Sequence, residues 1–382
     1  MIIISGYRIV SRIYESANSE VYRAIRESDG QRVILKILKQ DYPTPAELTR
    51  YKQEYELTRT LNIEGVVKVY GLEKYQNTLV MFLEDFGGES LKKLLDNHLL
   101  TIGEFLSISQ KLATILWEIH AVNIIHKDIN PANIVFNPET GQLKIIDFGI
   151  STRLTRENPT LKNPNVLEGT LAYISPEQTG RMNRSLDYRT DFYSLGVTFY
   201  KLLTGEEPFT TNDPLELVHC HIAKVPISPH EVNPEIPKAV SEIVMKLMAK
   251  TAEARYQSAL GIRNDLGQCW QQLQTTGNIS DFPLGTQDIS EHFHIPQKLY
   301  GREAEVEALL TAFERVANPE KSQIEMMLVA GYSGIGKSSL VAEIHKPNTR
   351  LRGYFTEGKF DQFQKSIPYS AVVNAFKGLV RQ

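Results

Sequence analysis

Asp128 and Asn133 stand five residues apart, and fourteen residues further on Asp147 opens the triplet Asp147-Phe148-Gly149. Such a set can bring a hydroxyl, metal ions and the terminal phosphate of a nucleotide into line. In that chemistry the Asp128 carboxylate orients the acceptor hydroxyl and takes its proton, while Asn133 and Asp147 hold Mg²⁺ against phosphate oxygens where charge builds up. Either string alone is a common turn, because Asp and Asn favour turns. Found in this order, and bounded by the apolar runs 134–136 and 143–146, they point to phosphoryl transfer.

Other elements must supply the nucleotide site. From Tyr7 to about Phe86, short runs of Val, Ile and Tyr predict a small sheet with one charged helix. Val33-Ile34-Leu35-Lys36 reads as a strand ending in a lysine, ordinarily a solvated edge cation. A Lys36–Glu54 ion pair would instead hold the ammonium on the α- and β-phosphates. Glu54 is preferred to Glu56 because its spacing to Leu57 and Leu61 sets the buried face. The hairpin from Ile13 to Val21 would cover the nucleotide. There Tyr14, Ser16 and Ser19 occupy positions where glycine would let the backbone approach phosphate, and Ser and Asn are the least costly replacements. Ile13, Ser16, Ser19 and Val21 are therefore assigned to ATP. The apolar run 79–83 before Glu84-Asp85-Phe86-Gly87-Gly88 suits a hinge, with backbone groups of Glu84 and Phe86 on the adenine edge.

With 382 residues, 42% of them apolar, the chain can bury a full core and divide into two or three domains. A net charge of −3 gives no basic field to attract nucleic acid. Cys220 and Cys269 make no spaced framework and suggest a reducing compartment. No stretch reaches the roughly twenty apolar residues that span a bilayer, so no membrane partner is expected and the expected location is the cytoplasm.

Residues 102–122 carry apolar residues at helical spacing. Beyond Asp147 a polar segment closes at Ser175-Pro176-Glu177, and its Thr152, Thr155 and Thr160 are candidate phosphorylation sites. Lys36, Glu54, residues 126–133, Asp147-Phe148-Gly149, Ser175-Pro176-Glu177, Asp191 before Ser194-Leu195-Gly196, and Arg255 stand in the order of the eukaryotic-type Ser/Thr protein kinases. The resemblance covers about residues 7–270. It implies an α+β bilobal protein-kinase fold, use of ATP and Mg²⁺, a protein substrate, and an Asp191 that accepts bonds from the catalytic-loop backbone. Two departures stand beside the missing glycines: Lys127 replaces the family's usual Arg, and Asn130 replaces a lysine that contacts the γ-phosphate. Two readings follow, a working Ser/Thr kinase or a nucleotide-binding pseudokinase scaffold with negligible transfer.

Residues 271–298 are polar, contain Gly277, Pro283, Gly285 and Pro296, and read as a linker. In residues 299–382 an amphipathic helix (Val306, Leu309, Leu310, Phe313) and an expected buried strand over 325–330 lead into a GxxxxGKS string. There the backbone of Gly331, Gly334 and Gly336 would cradle phosphates, Lys337 would neutralise them and Ser338 would ligate Mg²⁺. No apolar strand ending in Asp or Glu follows, so this region reads as the beginning of an α/β P-loop NTPase domain, cut short. The arrangement resembles large bacterial signalling proteins that join a Ser/Thr kinase to an AAA-like ATPase, followed by GAF and histidine-kinase modules. That resemblance implies a sensor role, with such modules downstream in a longer chain.

Overall fold

The computed structural model describes residues 3–16, 18–39, 42–96, 98–153, 169–179, 186–290, 301–317, 324–332 and 335–342, with positions 356, 369, 372–373 and 375–377 beyond them. The chain divides into two compact units. One comprises Met1–Asn158, Asp187–Pro208 and Ile227–Glu291; the other comprises Pro159–Leu186, Phe209–Pro226 and His292–Gln382.

In the first unit the β-rich amino-terminal residues form β1 (Tyr7–Glu15), β2 (Ser19–Arg26), β3 (Arg32–Leu38), α1 (Pro45–Thr60), β4 (Val69–Tyr75) and β5 (Thr78–Glu84). The strands make one antiparallel sheet in the order β1-β2-β3-β5-β4. Ala24, Val33, Leu35, Ile37, Val80 and Phe82 form its buried cluster. Full burial of side chains the size of Val, Leu, Ile or Phe contributes about 1.5–3 kcal/mol each. Lys36 lies on the central strand, opposite Val21 on one side and Met81 on the other. A strand lysine so placed is no solvated edge residue.

Helix α1 begins at a capping box. Thr44 accepts from the Glu47 backbone, Glu47 Oε2 accepts from the Thr44 N–H at 2.8 Å, and Pro45 supplies a preset φ at the first position. Its buried residues are Tyr51, Glu54 and Thr58. Leu57 and Leu61, expected to set the inner face, are only half-buried. The face follows Tyr51 and Glu54 because the polar groups of β3 give them partners there.

The chain continues through β6 (Glu89–Ser90), α2 (Leu91–Leu95), α3 (Ile102–Ala121), β7 (Ile124–Ile125), β8 (Ile134–Phe136), β9 (Leu143–Ile145) and β10 (Thr152–Arg153). The short strands pair as β6-β8-β9 and β7-β10. Phe105, Leu106, Leu112, Leu116 and Ile119 of α3 are wholly buried. Helix α4 (Arg189–Thr204) is buried almost throughout and ends at Gly205, whose φ of 82° closes the last turn. Helix α5 (Pro214–Ala223) belongs to the second unit, where Val218 and Ile222 pack against Leu171. Helices α6 (Pro229–Val232), α7 (Lys238–Leu247) and α8 (Ala259–Thr276) complete the first unit.

Residues 271–276, expected to start the linker, instead finish α8, which stops at Gly277 with φ 72°. Polar and glycine-containing though it is, the segment 278–290 is also tied back onto that helix: the Ser280 N–H donates to Gln272 Oε1 at 2.7 Å, the Gly285 N–H donates to Asp265 Oδ2 at 2.8 Å, and Ile279 is 6% exposed.

The second unit also holds α9 (Glu303–Ala317), which buries Leu309 and Ala312, and α10 (Lys337–Ala342). Residues 325–330, expected as a buried strand, form none; Met326 is 93% and Leu328 83% exposed. A strand needs neighbours to take its N–H and C=O groups, and none of the described residues pairs with this segment.

Candidate active site

Three charged side chains meet between β3, α1 and the Asp147 turn. Lys36 Nζ lies 2.7 Å from Glu54 Oε1 and 3.3 Å from Asp147 Oδ1. The Tyr51 hydroxyl donates to the Lys36 carbonyl, fixing α1 to β3 one turn before Glu54. Sequence reading missed Tyr51, although its spacing of three from Glu54 places both on one helical face. Burial opposes the charge on Lys36, but Asp147 and Glu54 outweigh it and raise the ammonium's pKa. Burial lifts the Glu54 carboxyl above its ordinary value. Burial would also lift Asp147, but the Lys36 ammonium prevails and holds it below the usual carboxylate range.

The catalytic-loop candidates lie between β7 and β8. Asn133 Nδ2 donates to both the carbonyl and Oδ2 of Asp128, each at 2.9 Å, so the two residues picked out by spacing are clasped together. This use of the amide nitrogen turns the other end of the Asn133 amide, an oxygen donor suited to a hard cation, to further use. Asn130, 3% exposed, is structural: its Oδ1 accepts from Ala132 N at 2.9 Å and Asn133 N at 3.3 Å, while its Nδ2 donates to the Asp128 carbonyl at 3.2 Å. The residue that displaces the family's lysine thus builds the loop's turn. His126 Nδ1 accepts from Asp128 N at 3.3 Å, which assigns the ring proton to Nε2, 3.1 Å from the Ile146 carbonyl. The Phe148 ring packs edge-on against His126, with 4.7 Å between centroids. In this way the loop and the Asp147 segment hold each other.

Asp191, in the first turn of α4, accepts from His126 N at 2.9 Å and Lys127 N at 2.7 Å, as expected. His120 Nε2, at the end of α3, lies 2.8 Å from the same carboxylate. Seventy-one residues separate that pair, and no local pattern announces it. Lys127 has a positive φ of 69°, is 4% exposed, and its ammonium donates to the Thr152 hydroxyl. Thr152 is held in β10 opposite Ile125, while Thr155 and Thr160 lie outside the described residues.

Serine takes over the turn of the nucleotide-covering hairpin. The Ser16 N–H donates to the Ser19 carbonyl at 2.8 Å, and Ser16 Oγ accepts from Asn18 N at 3.2 Å and Ser19 N at 2.9 Å. Ile13 is 45% exposed on β1, and Val21 faces Lys36 across the ladder. At the hinge, Glu84 Oε2 binds Lys144 Nζ at 2.9 Å and the Glu84 N–H donates to the Lys68 carbonyl, while the Phe86 carbonyl accepts from Asn137 Nδ2 at 2.8 Å. In the second unit Gly331, Gly336 (φ 89°), Lys337 and Ser338 lie together. Lys337 Nζ donates to the Gly331 and Tyr332 carbonyls at 2.8 and 2.7 Å, and Ser338 is exposed. Gly334 lies outside the described residues. Among the described residues no helix is long and apolar enough to cross a membrane.

A twisted five-stranded sheet with one helix, a helical region, and a Lys–Glu–Asp cluster beside an Asp–Asn loop define a phosphotransferase-type fold. The chain belongs to the protein kinase domain family, whose description matches residues 7–270. The AAA ATPase domain description matches residues 298–382, so a kinase domain is followed by an AAA-type segment. Hybrid signal transduction histidine kinase G of Dictyostelium discoideum is 33% identical in an alignment that covers 73% of this chain and 10% of that protein. The serine/threonine-protein kinase PrkC of Bacillus subtilis is 30% identical over 69% of this chain and 40% of its own length. PknA of Mycobacterium tuberculosis, likewise a serine/threonine-protein kinase, is 30% identical over 67% and 59% respectively. The chain therefore spans from about a tenth to less than two thirds of the length of these relatives.

Proposed function

We propose that the chain is an ATP-dependent serine/threonine protein kinase that transfers the γ-phosphoryl group to a protein hydroxyl. The observation that carries this reading is the convergence of Lys36 on Glu54 and Asp147, at 2.7 and 3.3 Å, in a fold that also clasps Asp128 to Asn133 at 2.9 Å. Lys36 steadies the α- and β-phosphates because Glu54 holds its ammonium in place. The Asp128 carboxylate orients the acceptor hydroxyl and takes its proton. The Glu84 carbonyl and the Phe86 N–H are the hinge groups for the adenine edge, with Ile13 and Val21 above the ring. Ser16 and Ser19 replace glycine's backbone approach with a hydroxyl-braced turn. Asp147 and Asn133 offer the hard oxygen donors that Mg²⁺ prefers, and the ion would supply electrostatic stabilisation of phosphoryl charge there. Lys337 and Ser338 form a second nucleotide site within a signalling protein, a role in keeping with the relative named a hybrid signal transduction histidine kinase.

The test is label transfer from γ-labelled ATP with Mg²⁺ to the full chain or a generic acceptor, beside Asp128→Ala. Transfer to serine or threonine should fall at least about a hundredfold in the variant while ATP binding persists. Transfer that persists in the variant would remove Asp128 from its role. The glycine-free loop favours the scaffold reading, which binding without any transfer by the unaltered chain would support.

A further inference from the structure

Just beyond the last helix of the kinase region, one carboxylate closes a strap. Asp288 Oδ2 accepts from Gln257 N at 2.7 Å, and Asp288 Oδ1 accepts from Ser258 N and Ser258 Oγ, each at 2.9 Å. Ser258 is itself the cap of α8, with its hydroxyl on Gly261 N at 3.0 Å. The helix surface is shaped for this carboxylate: a Cβ on Gly261 would lie 2.7 Å from both Cβ and Cγ of Asp288. A second anchor holds the same strap, because Asp265, 3% exposed, accepts from the Gly285 N–H at 2.8 Å and the Tyr256 hydroxyl at 2.5 Å.

The turn that Asp288 grips leads to the catalytic loop. Gln257 Oε1 accepts from Arg189 Nη1 and the Gln257 carbonyl accepts from the Tyr188 hydroxyl, both at 2.7 Å. Ser290, two residues past Asp288, hydrogen-bonds the Tyr188 side chain. Arg255 Nη1 donates to the Arg189 carbonyl at 2.9 Å. Arg189 begins α4, and Asp191 in that first turn holds the backbone of His126 and Lys127. An unbroken series of charge-assisted and backbone bonds thus runs from Asp288 to the loop that carries Asp128.

We infer that residues 278–290 are a strap of the kinase domain and that Asp288 is a positioning residue, steadying the catalytic loop through Gln257 and the start of α4. It lies just before the AAA-type segment, which matches residues 298–382. This inference rests on the kinase reading above for its consequence in rate, but not for its consequence in loop order. Amide hydrogen exchange reports loop order directly, whether or not the chain is active.

The test compares the full chain with Asp288→Ala, Asp288→Asn and Gly261→Ala. In Asp288→Ala, amides of residues 126–128 and 189–191 should exchange about tenfold faster. The same variant should melt about 3 °C lower. Its kcat should fall roughly three- to tenfold while KM for ATP stays within about twofold, because Lys36 and the hinge lie off this path. Asp288→Asn keeps the shape and one acceptor oxygen and should fall between. Gly261→Ala should reproduce Asp288→Ala by evicting the carboxylate, and the pair combined should be no worse than either alone. Loop exchange and kcat that stay unchanged in Asp288→Ala would overturn the inference, and so would a lower melting temperature with loop exchange unmoved. Gly261→Ala that raises the melting temperature, as alanine does in an unobstructed helix, would also overturn it. An unaltered chain that transfers no phosphoryl group refutes the kinase reading, and the exchange data then decide the strap on their own.

Discussion

At Lys36 two carboxylates compete for one buried ammonium, and they do not titrate together. Glu54 is lifted by burial above its ordinary value of 4.5, whereas Asp147 is held below its ordinary 3.8 with Lys36 beside it. Acidification therefore discharges Glu54 first, above pH 4.5, while Asp147 still faces Lys36. A carboxyl whose pKa is raised by folding binds its proton more tightly folded than unfolded, so this protonation does not unfold the protein. Asp147, with a depressed pKa, contributes stability above its ordinary pKa that is lost only as pH falls through the lower folded value. Phosphoryl transfer should thus decline at a higher pH than the circular dichroism signal. The acid limb of the rate profile should move to lower pH in Glu54→Gln, whose rate is low throughout, because Asp147 with its depressed pKa still loses its charge there. A limb that lies below pH 4.5, or that the substitution leaves unmoved, would count against Glu54 as the titrating group.

Among the elements, α4 carries the most structural responsibility, because it presents Asp191 to the catalytic loop while being buried nearly end to end. Such a helix has no room to spare where it crosses α7. A Cβ on Gly196 would meet Leu247 Cβ at 2.7 Å and Met248 Cγ at 2.8 Å. The Met248 backbone nitrogen, 3.2 Å away, cannot swing aside as a flexible side chain would. Gly196→Ala should therefore destabilise by about 1–3 kcal/mol through overpacking, although alanine is the better helix former. Urea denaturation at constant m-value measures this; a stabilised variant would mean that α4 and α7 can separate without cost.

For the whole molecule, the two motifs proposed to bind nucleotide lie in different units. Lys337→Ala should weaken nucleotide binding at the AAA-type segment while label transfer at Asp128 stays within about twofold, since among the described residues its ammonium donates to carbonyls of its own loop. Titration with a fluorescent ATP analogue, using Lys36→Ala as the background to weaken binding at the kinase site, separates the two sites. An unchanged isotherm in Lys337→Ala would mean that the second motif does not bind.

Much of the kinase site was legible in the sequence because its chemistry sits in short strings. The Asp128–Asn133 spacing, the Asp147 triplet and the strand that carries Lys36 each follow from local geometry, although that strand runs on to Leu38 instead of ending at the lysine, and the fold class follows from the family resemblance that these strings carry. Contacts made across long separations were not legible. Tyr51 on the Lys36 carbonyl, His120 on Asp191 and the inward turn of Asn130 depend on which faces meet after collapse. Polar composition reads residues 271–298 as a linker, yet Gly285 finds a partner on α8 and Asp288 on the Gln257–Ser258 turn that caps it. At 325–330 an apolar run predicted a strand that no described neighbour pairs. Sequence alone determined which groups could do the chemistry, because spacing along one element is fixed by backbone geometry. Tertiary structure decided which groups hold them in place, because a buried polar group takes its partner from whatever element packs against it.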